Sequence, residues 1–131
     1  TGMKTFDEAF ERLCDKNSKV SSHYLIGRDG TILNLVDEKD RAWHAGISNW
    51  KGVKDLNNNS IGIELENPGH EFGYLSYTKI QMDSLIYLCK KIKKKYHIKS
   101  DWVLGHSDVA PDRKKDPGEK FNWAPIKKIF E

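Results

Sequence analysis

A chain of 131 residues is about one domain, long enough to bury roughly two thirds of the surface its unfolded form exposes, so one core and no second domain are expected. With 37% apolar and 31% charged residues and no apolar run near the roughly 20 residues of a membrane span, bilayer insertion by these residues is excluded. The net charge of +3, from 22 basic against 19 acidic residues, gathers in "KKIKKKYHIK"; lacking the interleaved aromatics of a nucleic-acid-binding domain, it reads as a solvated helix face.

Thr5 with Glu8 three residues on forms a capping-box pattern, and Phe6, Phe10, Leu13 and Cys14 recur at helical spacing, which predicts a helix over about 5–16. "SSHYLIGRDGTILNLV" follows, two apolar runs around an Asp-Gly turn, the clearest hairpin pattern in the chain. Residues 37–59 hold Trp43 and Trp50 but no sustained period, so they read as a long irregular loop, ordered by its tryptophans and of a length that is usually functional. "SIGIELE" then alternates, with Ile61, Ile63 and Leu65 on one face and Gly62, Glu64 and Glu66 on the other.

Thr78 and Gln81 suggest a second capping box, after which Met82, Leu85, Ile86, Cys89, Ile92 and Tyr96 mark the buried stripe of a helix ending near Tyr96. "WVLGH" is expected as a short strand ending at Gly105 and His106, and "NWAPIKKIF" as a final helix beginning at Pro125. Cys14 and Cys89 fall within apolar stripes and read as buried free thiols. The order predicts an α/β fold, a single domain with a central mixed β-sheet flanked by helices. The chain opens on "TGMKT" rather than on an initiator methionine, consistent with a trimmed or mature fragment.

The candidates for chemistry gather at the ends of the predicted strands, where loops ride on a rigid scaffold. His106 and Asp116 lie in one stiff loop, "GHSDVAPDRKKDPG", in which Pro117 and Gly118 can aim the carboxylate back at the imidazole. They suit two ligands of a zinc ion, although a satisfied polar histidine and a turn aspartate fit the same spacing. Lys114, two residues before Asp116, is either an oxyanion partner or one more solvated lysine. Glu64 is either an acid/base facing a cleft or an ordinary strand glutamate, and Glu66, on the same face, is its decoy. Trp43 and His44 in "RAWHAG" form either a substrate-binding wall or loop packing. His23, at a strand start, favours structural hydrogen bonding over binding.

Taken together, "SSHYLIGRDGTI", "RAWHAGISNWKG", "NNNSIGIELENPGH" and "GHSDVAPDRKKDPG" resemble the zinc-dependent N-acetylmuramoyl-L-alanine amidases, whose superfamily includes the peptidoglycan recognition proteins. The likeness runs in order over about residues 20–125. It implies hydrolysis of the amide between the lactyl group of N-acetylmuramic acid and the L-alanine of the stem peptide. It further implies Zn2+ as cofactor with His106 and Asp116 as ligands, Lys114 at the transition state and Glu64 as acid/base; Trp43, His44 and His23 stay candidate substrate-binding positions on their residue types alone. The family's third ligand is a histidine ending a first strand similar to I-V-I-H-Y-T, and this chain matches from the Thr onward, so that strand and that ligand are expected upstream of Thr1. His44 and His23 match no family ligand. The partners implied are peptidoglycan or muropeptide fragments, met by a monomer in the cell envelope or periplasm, with the cytoplasm as the family's other compartment. The rival expectation is a peptidoglycan-binding module without catalysis.

Overall fold

The computed structural model describes residues 1–131. In chain order the elements are α1 (Phe6–Cys14), β1 (Tyr24–Ile26), β2 (Ile32–Asn34), β3 (Asn49–Trp50), β4 (Val53–Lys54), β5 (Ile63–Leu65), α2 (Gly69–Phe72), α3 (Lys79–Lys95), α4 (His106–Val109) and α5 (Ala124–Ile129). Both capping patterns act as their spacing requires. Thr5 Oγ1 accepts the Glu8 N–H and Thr78 Oγ1 accepts the Gln81 N–H, each at 3.1 Å, contributing about 1 kcal/mol per helix start.

A three-stranded mixed sheet in the order β2-β1-β5 carries the molecule. β1 pairs antiparallel with β2, Leu25 opposite Leu33, and parallel with β5, where Leu25 stands beside Glu64 and Ile26 beside Leu65. Because side chains alternate across a strand, the two faces divide the work. Ile26 and its neighbours face α3 and α5, burying Leu85, Leu88, Cys89, Ile92, Ile126 and Phe130 in the main core. Leu25 faces the other way, onto Ala9 and Leu13 of α1. Glu64, level with Leu25, therefore emerges on the α1 face while Ile63 and Leu65 anchor its strand to α3. Gln81, wholly buried, donates from Nε2 to the carbonyls of Ile26 and Glu66 at 3.1 and 3.0 Å, tying α3 to the ends of both central strands. No helix is long and apolar enough to cross a membrane.

The structure departs from the sequence reading in four places. The loop 37–59 contains a small antiparallel hairpin, β3–β4, whose turn residues Lys51 and Gly52 take φ of 50° and 85°, the double left-handed turn that suits the twist of a two-residue loop. Strands of two residues leave no period to detect. The strand expected in "WVLGH" does not form: Ser100–Trp102 is a 3-10 turn, the Ser100 and Val103 carbonyls accept from Lys127 Nζ instead of a neighbouring strand, and His106 begins α4. Cys14 is exposed, because α1 is short and turns Ala9 and Leu13 inward, leaving Phe10 40% exposed. Cys89 is buried as expected, and burial pushes its thiol up to about 11. The short α2 had no counterpart in the sequence reading.

Candidate active site

A cleft of about 570 Å3 opens on the α1 face, and Glu64, Trp43, His44, His106, Lys114 and Asp116 all line it. Six sequence-predicted side chains thus converge from three separate stretches of chain. The donor pair is built by the loop after α3. Ser107 N donates to Asp116 O at 2.9 Å, closing the two ends of the loop on each other, and Asp108 Oδ2 accepts the Gly105 N–H at 2.8 Å. A Cβ on Gly105 would lie 2.5 Å from Pro117 Cδ, so only glycine lets the two strands of the loop approach this closely. The result is His106 Nδ1 at 3.3 Å from Asp116 Oδ2.

The tautomer of His106 follows from its other nitrogen. Nε2 lies 2.9 Å from the Ala45 carbonyl, which can only accept, so Nε2 carries the proton when the ring is neutral and Nδ1 offers its lone pair toward Asp116. Burial disfavours the charged ring, but Asp116 and the Ala45 carbonyl outweigh it and hold the imidazole above its usual range. Burial likewise raises the Asp116 carboxyl, and His106 and the chain's amino group outweigh that and hold it below the usual carboxylate range. Two donors of a tetrahedral ion with bonds of about 2.0–2.1 Å stand about 3.3–3.4 Å apart, the spacing seen here. The pair therefore fits as two of a metal's ligands, and no group of three or more His, Cys, Asp or Glu converges to hold an ion alone.

The Glu64 carboxylate accepts no hydrogen bond within the chain, and its one ion pair runs 3.7 Å from Oε2 to the Thr1 amino group, which donates to Leu65 O at 2.7 Å. Glu66 is occupied, accepting the Arg28 N–H at 2.9 Å. Lys114 is held through its backbone N–H on Ala110 O at 2.9 Å, and its side chain lines the cleft.

Trp43, 45% exposed, and His44 stand on the wall of the cleft. Ser60 gives its one proton to the Leu56 carbonyl, so the contact of 3.2 Å between His44 Nε2 and Ser60 Oγ has the ring donating. Burial, and then the neighbouring His23 and His106, lower the His44 imidazole to about 4, leaving it neutral with Nδ1 as an acceptor. His23 departs from the expected substrate-binding role. It is fully buried, Nε2 donating to Asp40 O at 2.7 Å and Nδ1 accepting the Gly62 N–H at 3.0 Å, so it serves the loop beneath His44 and presents nothing to the cleft.

Three supporting residues escaped the sequence reading. Gly62 lies under the His44 ring, where a Cβ would meet Cγ at 2.3 Å. Asn57 Oδ1 accepts both the His44 and Ala45 N–H groups, at 3.0 and 2.7 Å, and so shapes the W-H-A-G turn. Arg113 Nη2 donates to Ala45 O and Ile47 O at 3.0 and 2.8 Å, fastening that turn to the donor loop. Only the glycine in "SIGIE" had a local signal, since glycine inside a strand pattern marks a close approach.

The description N-acetylmuramoyl-L-alanine amidase belongs to the family profile that matches residues 1–119. N-acetylmuramoyl-L-alanine amidase AmiD of Escherichia coli K12 is 44% identical over 133 residues, covering 92% of this chain and 48% of that protein. The 1,6-anhydro-N-acetylmuramyl-L-alanine amidase AmpD of Salmonella typhimurium is 44% identical over 105 residues, covering 80% of this chain and 54% of its own. The structure of E. coli AmiD in complex with its substrate anhydro-N-acetylmuramic acid-L-Ala-D-γ-Glu-L-Lys superposes with a TM-score of 0.87 at 41% identity, over 96% of this chain and 53% of that one. The chain spans about half the length of the relatives it matches. With the family profile covering most of its length and both close relatives sharing that activity in their names, the chain belongs to the N-acetylmuramoyl-L-alanine amidase family.

Proposed function

We propose that the protein hydrolyses the amide between N-acetylmuramic acid and the L-alanine of the stem peptide, in peptidoglycan or its muropeptide fragments, with zinc as its metal. The observation that carries this is the convergence on one cleft of a His106–Asp116 pair at ligand spacing, a carboxylate without a hydrogen-bond donor on its oxygens other than the chain's amino group nearby, and the ammonium of Lys114. His106 Nδ1 and Asp116 Oδ2 would hold the metal. Zinc in such a site supplies Lewis-acid charge at the scissile carbonyl and lowers the pKa of the attacking water.

The chain's own residues do the rest. Glu64 takes a proton from the water as its oxygen attacks the lactyl carbonyl carbon, and returns that proton to the alanine nitrogen as the C–N bond breaks. Lys114 Nζ donates to the oxyanion that forms in between. Ala45 O holds the His106 ring in the tautomer that leaves Nδ1 free. The products are a lactyl carboxylate and a stem peptide with a free amino terminus. Because the polymer lies outside the cytoplasmic membrane, the cell envelope is the proposed compartment.

The test incubates purified muropeptides with the full-length protein, with and without a chelator, and follows free stem peptide by mass spectrometry. Release that the chelator abolishes and added zinc restores is the expected result. The convergence of only two metal donors within residues 1–131 favours one alternative, a non-catalytic peptidoglycan-binding module. Binding of muropeptide with no peptide released by the zinc-loaded protein would establish that alternative.

A further inference from the structure

α1 does more than cover the sheet. Its buried face, Ala9 and Leu13, packs on Leu25, and Leu25 stands beside Glu64 on the same face of the β1–β5 ladder. The last turn of the helix therefore rises next to the strand that carries Glu64. Arg12, adjacent to Leu13 in that turn, lines the cleft together with Glu64, His106 and Lys114. Of the Arg and Lys side chains along the cleft, Lys114 and Lys115 come from the donor loop, and Arg12 alone stands on α1.

The guanidinium of Arg12 forms no ion pair within the chain. This is informative because Glu8 lies four residues earlier, the spacing at which helical carboxylates and guanidiniums pair. A planar fork of donors left unpaired on the wall of a substrate cleft suits a planar anion, and above all a carboxylate held by two parallel hydrogen bonds.

The proposed substrate carries such a group, and the inference rests on that reading. In a stem peptide of the L-Ala-D-γ-Glu type, the chain leaves the glutamate through its side-chain carboxyl, so the α-carboxylate stays free. It sits one residue beyond the scissile nitrogen, about 6–7 Å along an extended backbone. We propose that Arg12 is a specificity-determining residue that pairs with this free α-carboxylate, so that the cleft selects stem peptides whose second residue is γ-linked glutamate over those in which that carboxyl is amidated.

The experiment uses two synthetic muropeptides that differ only in that group, γ-linked D-glutamate in one and its α-amide in the other. Their Kd values are measured by calorimetry, and kcat and KM by peptide release, with full-length wild type, Arg12→Ala and Arg12→Lys. Wild type is expected to bind the acid about 10- to 50-fold tighter than the amide, the range of a charge-assisted hydrogen-bonded pair. Arg12→Ala should lose that factor on the acid alone, in KM rather than kcat, and Arg12→Lys should recover part of it. Equal weakening of both ligands by Arg12→Ala, or a wild type that takes acid and amide alike, overturns the inference while leaving the amidase reading standing. A wild type that neither binds nor cleaves either muropeptide overturns the functional reading and this inference with it.

Discussion

Glu66 accepts a backbone N–H from Arg28 at 2.9 Å, whereas Glu64, two residues earlier on the same strand face, meets only the Thr1 amino group and looks into the cleft. The same side chain on the same face thus has two uses, one structural and one available for chemistry. Replacing each by glutamine keeps its shape and removes its proton-accepting charge. Glu64→Gln is expected to lower kcat for muropeptide hydrolysis by about 10²- to 10⁴-fold with KM little changed, the loss typical of a general acid/base. Glu66→Gln should keep kcat, because the amide oxygen still accepts from Arg28, and cost no more than about 1 kcal/mol of stability. Steady-state kinetics beside a denaturation curve for both variants decides it, and comparable losses of kcat in the two would remove the assigned role of Glu64.

At the scale of elements, the loop that carries Trp43 and His44 is tethered at its start by Glu38. Its carboxylate accepts from the hydroxyls of Tyr24 on β1 and Tyr96 after α3, the latter at 3.1 Å, and pairs with Lys95 Nζ at 3.4 Å. Burial pushes this carboxyl up, but the hydrogen bonds from Tyr24, Tyr96 and Lys95 outweigh it and leave it below the usual glutamate range. A carboxyl whose folded pKa is depressed stabilises the fold above its unfolded value and loses that contribution as pH falls through the folded one. Wild type is therefore expected to exceed Glu38→Gln in stability at pH 7, the two curves converging as the pH falls below about 4. Denaturant unfolding across that range measures the gap, and a gap independent of pH would show that the charge of Glu38 carries none of it. What the sequence disclosed at this scale was whatever depends on near neighbours. The caps at Thr5 and Thr78, the hairpin around Gly30 and the helix from Lys79 all rest on partners within a few residues. In place of the strand expected in "WVLGH", the Val103 carbonyl is taken by Lys127, 24 positions away, and the clamp of Arg113 on Ala45 spans 68. Such long-range polar partners leave no pattern along the chain. The donors His106 and Asp116 were legible only through motif resemblance, since their spacing alone fitted an ordinary turn equally well.

On the scale of the whole molecule, the sheet separates a closed side from an open one. α3 and α5 close one face with the main core, and the other face, covered in part by α1, carries the cleft. The donor pair exists only in this assembled state. His106 and Asp116 are ten residues apart, but the ring is aimed by a carbonyl 61 positions away, and the loop that supplies that carbonyl is held by Asn57 and Arg113. Unfolding dissolves all of these at once, so an ion bound by the pair favours the folded chain and must shift its stability by mass action. For the full-length protein, zinc at 100 times its Kd is expected to stabilise by about 2.7 kcal/mol, a rise in Tm of roughly 10 °C, with a chelator reversing it. His106→Ala and Asp116→Ala should each abolish the shift, whereas Glu64→Gln, which alters no proposed ligand, should retain it. A calorimetric scan of the four proteins with and without zinc reads this directly. Persistence of the full shift in both His106→Ala and Asp116→Ala would mean that the ion is held elsewhere.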